Sequence, residues 1–232
     1  MNIAFIPVRG GSKSIPHKNI QLFNNKPLVY WTIKAACACT FLEYIYVATD
    51  CNKIKEAVLS FGFNKVNVVG RSDSTATDTA PTESAMLEFA HDFDFDNIIL
   101  IQATSPLLTT EDLIGGFEMY LTEGTDSVLS AVRQKRFIWE ETCDGFAKPQ
   151  NYNIIHRPRR QEFSGYLVEN GAFYITSKVK LIDSKNRISG NIKIYEMASA
   201  SYFEIDEPID WLIAEQIMIK DFRAATYGDI RK

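Results

Sequence analysis

A chain of 232 residues with 46% hydrophobic and 23% charged residues has the composition of an ordinary globular protein, long enough to bury one full core. Its formal net charge of −4 argues against sequence-independent nucleic-acid binding, which needs a broadly cationic face. No apolar run reaches about eighteen residues and the first residues already read as a core strand, so no membrane span or secretory leader is expected, and the cytoplasm is the expected compartment.

The first predicted element is a strand over 2–8, followed directly by Arg9-Gly-Gly-Ser-Lys-Ser-Ile-Pro-His-Lys-Asn19. A helix is predicted over 27–40, a strand over 44–49, a helix over 51–61 and a strand over 66–69. The next helix, 79–92, has Asp78 as its expected N-cap. A strand over 97–103 leads to a helix over 110–123, with Thr109 as cap and Glu111-Asp112 at its positive end. This alternation is the signature of βαβ units and a largely parallel sheet.

After the apolar stretch Ser127–Arg133 the periodicity is lost. Residues 134–165 hold Trp139, Phe146, Pro149 and Pro158 and read as an excursion that packs on something other than the main sheet. Strands return at 172–176 and 193–197, a helix is expected from Pro208 to about Phe222, and 224–232 reads as a frayed tail. There is no internal repeat, so residues 1–232 are taken as one domain. Cys37, Cys39, Cys51 and Cys143 have no metal spacing and fit reduced structural thiols, and His17, His91 and His156 are scattered.

Chemistry gathers where strands end. In an open α/β sheet ligands bind at the carboxyl ends of the strands, and a glycine-rich loop there lets backbone N–H groups approach phosphate oxygens. Arg9, Lys13 and Lys18 add fixed positive charge, so the first loop reads either as a triphosphate cradle or as a basic surface turn. The spacings of the Walker loop and of the dinucleotide fingerprint are both absent. Gln102, Thr104 and Ser105 end the strand over 97–103 with uncharged hydrogen-bonding groups suited to a hydroxyl-rich ligand, or with the start of a plain turn. Thr77–Thr82 can contact a ribose or base, or simply cap a helix. Glu204 and Asp206, two apart on an extended segment, can share one face and hold Mg²⁺, or serve as a solvated cap for the helix that follows. Arg157-Pro-Arg-Arg-Gln161 suits a carboxylate partner or a solvated loop.

Six stretches, taken in chain order, resemble the N-acylneuraminate cytidylyltransferases, and their animal-type members most of all. They are Arg9–Asn19, Ile101–Pro106, Asp126–Arg133, Arg157–Gln161, Glu169–Ala172 and Ile205–Trp211, within a likeness spanning residues 2–222. The resemblance implies an α/β fold of the Rossmann-like, glycosyltransferase-A nucleotidyltransferase type, with residues 134–165 as a dimerisation excursion. It implies transfer of CMP from CTP to a nine-carbon 2-keto acid sugar with Mg²⁺ as cofactor, in a homodimer that could pair further into a tetramer, with no nucleic-acid or membrane partner. Carried over by position, Arg9, Lys18 and Asp206 are catalytic, and Arg9, Ser12, Lys18, Asn19, Arg71 and Thr82 bind the nucleotide. Gln102, Thr104, Asn170 and Tyr174 face the sugar, Arg160 reaches the sugar carboxylate from a partner subunit, and Asp206 with Glu204 holds the metal. Three departures stand out: Glu204 replaces an aspartate, Ser14 a glycine, and Leu108 an arginine of some bacterial members. The sugar is expected to be N-acetylneuraminate, KDN or a legionaminic acid. The rival readings are a cytidylyltransferase for the eight-carbon sugar Kdo, whose first loop usually reads R-x-x-S-x-R-L-P, and a non-catalytic nucleotide-sugar sensor.

Overall fold

The strand Asn2–Pro7 (β1) buries Ile3, Ala4, Phe5 and Ile6 completely, because it has parallel neighbours on both sides and helices on both faces. The computed structural model describes residues 1–11 and 14–228, the last eight of these as helical backbone alone. A two-residue hairpin, Leu22–Phe23 (β2) with Lys26–Pro27 (β3), follows the first loop and leads into Leu28–Ala38 (α1). Then come Tyr44–Thr49 (β4), Asn52–Ser60 (α2), Val66–Gly70 (β5), Thr82–Asp92 (α3), Asn97–Ile101 (β6) and Thr110–Tyr120 (α4). The remaining elements are Ser127–Gln134 (β7), Trp139–Glu141 (β8), Ala147–Pro149 (β9), Tyr166–Ser177 (β10), Lys178–Ser184 (α5), Ile192–Met197 (β11) and Pro208–Gly228 (α6).

Seven strands form one sheet in the order β11-β7-β10-β6-β1-β4-β5. Every pairing is parallel except those of β10, which runs against both β6 and β7. The fold is the mainly parallel α/β sheet expected, with its topological reversal beside β6. β1 shows how both faces are served: Ala4 and Ile6 pack with α1, α2 and α4, whereas Ile3 and Phe5 pack with α3. Each large side chain buried this way contributes roughly 1.5–3 kcal/mol.

A third, smaller core positions the chemistry. Ile15 of the first loop, Phe23, Leu28, Ile205, Ala214 and Met218 bury one another, with Trp211 against Phe23 at 5.4 Å between ring centroids. Ile15 precedes Lys18, and Ile205 lies between Glu204 and Asp206. One apolar cluster therefore brings the cationic loop and the acidic segment together.

Several expectations need correction. Asp78 does not cap α3: Pro81 occupies that position with no side-chain cap, and Asp78 pairs with Arg9 instead. Thr109 does cap α4, in a reciprocal box with Asp112 (3.2 and 3.1 Å). α6 continues through Gly228 instead of fraying from 224, and residues 229–232 lie outside the described ones. The strand at 172–176 is the end of the longer β10, which carries a register shift between Glu169 and Tyr174. Residues 134–165 do leave the main sheet. β8 and β9 pair only with each other, and Phe137, Tyr152 and Phe163 cluster beneath the Arg157 guanidinium, which lies 4.6 Å from the Phe137 ring. No helix among the described residues is long and apolar enough to cross a membrane.

Candidate active site

Val8 N–H continues β1 by donating to Ala48 (2.9 Å), and the chain then turns along the sheet's carboxyl edge. Gly10 N–H donates to Asp50 Oδ1 at 2.8 Å, and a Cβ at Gly10 would meet the Cβ of Cys51 at 2.8 Å. Only glycine allows the loop to lie this close to the end of β4. Ser12 and Lys13 lie outside the described residues.

Beyond this loop lies a cavity of about 290 Å³ whose wall includes Arg9, Lys18, Asn19, Arg71, Thr82, Gln102 and Thr104. Those seven were assigned to nucleotide or sugar from the sequence, and five elements separated by up to 95 positions in the chain bring them together. A larger, mainly apolar groove of about 390 Å³ runs between α1, the β6–α4 turn and Met218. It lacks converging cations, whereas Arg9, Lys18 and Arg71 all line the smaller cavity.

Each cation has a defined hold. Arg9 Nη1 donates to Thr77 O at 2.9 Å and pairs with Asp78 at 2.8 Å. Lys18 threads a largely buried stem to Ile205 O at 2.7 Å and lies 3.4 Å from Asp206. Asn19 is buried and donates to Arg9 O at 3.3 Å. Arg71 donates to Thr75 O, while its Nε is buried and finds no partner among the described residues. Burial lowers the Arg71 pKa, with Asp50 and Glu88 acting in the opposite sense. A buried, unmatched donor beside two further cations is what an anionic ligand would complete.

On the acidic side, Thr104 Oγ1–H donates to Glu204 at 2.9 Å, and Ile205 N–H donates to Thr104 O at 2.8 Å. Burial raises the Glu204 pKa; Asp206 and Glu169 add to the rise, and Thr104 and Lys18 oppose it. A carboxyl whose folded pKa is raised favours folding at low pH and loses that contribution as pH rises through the folded value. Glu204→Gln keeps an acceptor for Thr104 and removes the desolvated charge. In metal-free buffer it should raise the thermal midpoint at pH 7–8 and leave it nearly unchanged near pH 4; a lower midpoint at pH 7–8 would contradict the assignment.

Glu204 and Asp206 border the cavity through Thr104 and Lys18, whereas three other assigned residues are not brought to it. Asn170, 4% exposed, turns inward from the β10 irregularity and donates to Ser201 O at 2.8 Å. Tyr174, 3% exposed, lies under Arg187 and donates its hydroxyl to Glu169. Arg160 stays exposed in the excursion. Ser105, considered with Gln102 and Thr104, is buried, and its hydroxyl has no partner among the described residues. Sequence reading also missed residues that the fold recruits: Asp50, which orients Gly10, and Asp78, which holds Arg9. An acid at the end of the strand beside β1 was the available signal for Asp50.

The open α/β sheet sets the cationic turn after β1 and the carboxylates of the 204–206 segment at one sheet edge, where folds of this class bind their ligands. The cytidylyltransferase family model matches residues 3–227, and the chain belongs to that family. It is 38% identical to N-acylneuraminate cytidylyltransferase A of Danio rerio and 35% identical to N-acylneuraminate cytidylyltransferase of Oncorhynchus mykiss, over 94% of this chain and 50% of each relative. The chain thus spans about half the length of these relatives. It is also 29% identical to CMP-N,N'-diacetyllegionaminic acid synthase of Legionella pneumophila, covering 93% of this chain and 95% of that one. Among solved structures, CMP:2-keto-3-deoxy-manno-octonic acid synthetase complexed with CTP shares the fold with a TM-score of 0.69 at 17% identity (95% of this chain, 99% of that one). The 4-diphosphocytidyl-2C-methyl-D-erythritol synthase of Anaerococcus prevotii follows at 0.68 and 12% (94% and 95%). The nucleotidyltransferase fold is therefore shared.

Proposed function

We propose that this chain transfers CMP from CTP to the anomeric hydroxyl of a nine-carbon 2-keto acid sugar, an N-acylneuraminate or KDN, and releases pyrophosphate. The observation that carries this reading is the convergence of Arg9, Lys18 and the unmatched Arg71 Nε on one cavity with Gln102 and Thr104 on its other wall. The names of the fish relatives support the sugar class. The sugar hydroxyl oxygen bonds to the α-phosphorus, the bridge to the β-phosphate breaks, pyrophosphate leaves with that electron pair, and the hydroxyl proton passes to water. Arg9 and Lys18 offset the charge growing on the leaving group, and Asn19 fixes the loop that presents them.

Mg²⁺ fits the donor set. Glu204 and Asp206 offer two hard carboxylates, one held by Thr104 and the other beside Lys18. Such a partial shell suits an ion that keeps waters and shares substrate phosphates. When bound, Mg²⁺ would neutralise phosphate charge and acidify the attacking hydroxyl. Cytoplasmic residence accords with four free cysteines, of which Cys37 and Cys39 are pushed by burial to pKa values of about 11 and about 12. Pyrophosphate release measured with CTP, Mg²⁺ and each of N-acetylneuraminate, KDN, a legionaminic acid and Kdo tests the substrate. A nine-carbon acid should give the largest kcat/KM. Preference for Kdo would favour the eight-carbon reading, and silence with all four would favour a sensor.

The active unit on this reading is a homodimer. The excursion exposes Trp139, Ile154, Ile155 and Phe146, the last 72% accessible, which a lone domain gains nothing by leaving uncovered. Arg160 at its end would then meet the partner's sugar carboxylate. Mixing inactive Arg160→Ala and Asp206→Asn proteins should restore part of the activity, since one site of each mixed dimer has both residues intact. No recovery in mixed dimers confirmed by mass would place Arg160 outside the shared site.

A further inference from the structure

A second charged constellation adjoins the cavity. Arg187 donates through Nε and Nη2 to both oxygens of Glu83, at 2.5 and 2.9 Å, and the two side chains are only 19% and 18% exposed. Its guanidinium carbon lies 5.0 Å from the centroid of the Tyr174 ring, and the Tyr174 hydroxyl donates to Glu169. The loop presenting Arg187 is fastened: Ser127 Oγ–H donates to Ser189 O (2.9 Å), Ile188 N–H to Asn186 (3.2 Å) and Asn191 N–H to Asp126 (2.8 Å).

Packing alone does not account for this pair. Removing two charges from water is costly, and apolar residues of similar volume usually fill such a position as well or better. Its location supplies the reason. Glu83 follows Thr82, which lines the cavity on one side. On the other side Gln102 and Glu204 close on Gly171, where a Cβ would lie 3.2 Å from Gln102 Nε2 and 2.9 Å from Glu204 Oε2. From there Glu169 and Tyr174 lead back to Arg187. Arg187 thus links, from outside the cavity's own lining, the residue after Thr82 to the strand that carries Gly171, and the cavity's volume is small for two substrates together, so part of a second substrate would extend beyond it.

We propose that Arg187 is a specificity-determining residue that donates a hydrogen bond to an oxygen on the side arm of the sugar acid, aimed by Glu83 and by the ring of Tyr174. The inference rests on the reading that the cavity takes CTP and that the second substrate is a sugar acid. A guanidinium has five N–H groups and Glu83 takes two, so donors remain for a ligand. Tyr174 is covered, so at this wall the sugar meets Arg187 instead of the tyrosine beneath it. The accepting oxygen is either an acyl carbonyl at C5 or a hydroxyl of the C7–C9 tail.

Steady-state kinetics of Arg187→Met with N-acetylneuraminate, KDN and a tail-shortened acid tests this. The KM for the sugar should rise about tenfold to a hundredfold, the range of one charge-assisted hydrogen bond, while the KM for CTP stays within about twofold. A loss with N-acetylneuraminate and not with KDN identifies the acyl carbonyl; a loss with both and not with the shortened acid identifies the tail. The double variant Glu83→Gln/Arg187→Met leaves no unpaired buried charge and should show the same sugar selectivity if the single variant folds poorly. Unchanged sugar KM in a folded variant, or equal losses for every sugar and for CTP, would overturn the proposal. Absence of turnover by the unaltered protein would instead defeat the reading on which it rests.

Discussion

Arg9→Ala is expected to lower kcat/KM for CTP by about three orders of magnitude while leaving the thermal midpoint close to its original value. The first half follows from position: Arg9 leaves the end of β1 and lines the cavity with Arg71 and Lys18, its planar guanidinium suited to bidentate contact with phosphate oxygens. Removing one preorganised donor from a site of developing charge costs about a hundredfold to a thousandfold, and an arginine acting on a transferring phosphoryl group can cost more. The second half follows from exposure. The Arg9–Asp78 pair is about one-third exposed on each side, and such pairs contribute about 1 kcal/mol or less. Lys18→Ala should combine a similar catalytic loss with a measurable loss of stability, because Lys18 also satisfies Ile205 O and ties the acidic segment to the loop. Calorimetric CTP titration alongside kinetics separates these effects. Unchanged CTP affinity with near-normal turnover in Arg9→Ala would remove the cradle from the account.

Asp206→Asn is expected to reduce turnover by about a thousandfold or more at any Mg²⁺ concentration. The side chain is 68% exposed and lies 3.4 Å from Lys18, so the substitution removes a charge and one long, largely solvated ion pair. Asparagine keeps one neutral oxygen, which is a poor exchange for a carboxylate facing a hard divalent cation. Glu204→Gln should be milder, since Glu204 already spends one oxygen on Thr104 and its ionised form is disfavoured by burial. Mg²⁺ titrations of activity distinguish the two residues. Full activity of chelator-treated protein, or an Asp206→Asn enzyme with ordinary Mg²⁺ dependence, would show that the metal assignment is wrong.

The parts legible in the sequence were those whose cause is local. Strands β1, β4 and β6 are buried on both faces and read as apolar runs, and the polar groups just after them fell where the sheet edge needs them. Thr109 and Asp112 announce α4 by spacing alone. Distant causes were not legible. Asp78 suits a cap by type, but the chain reaches α3 through Pro81 and Arg9 claims the carboxylate. α5 follows β10 with no breaker between them, capped by Ser177, so its seven residues hid behind the strand. Glu83 and Arg187 are 104 positions apart, and no periodicity links them. The inward turn of Asn170 and the burial of Tyr174 depend on the β10 irregularity and on Arg187, which appear only once three strands and two loops are assembled.

Nucleotidyl transfer by the proposed route requires attack at the α-phosphorus of CTP. It is tested most directly by incubating the full chain with Mg²⁺, N-acetylneuraminate or KDN, and CTP labelled at either the α- or the γ-phosphate. α-Label should appear in a sugar-linked product and γ-label in pyrophosphate. Transfer of γ-label to the sugar, or no labelled product from either substrate, would contradict it.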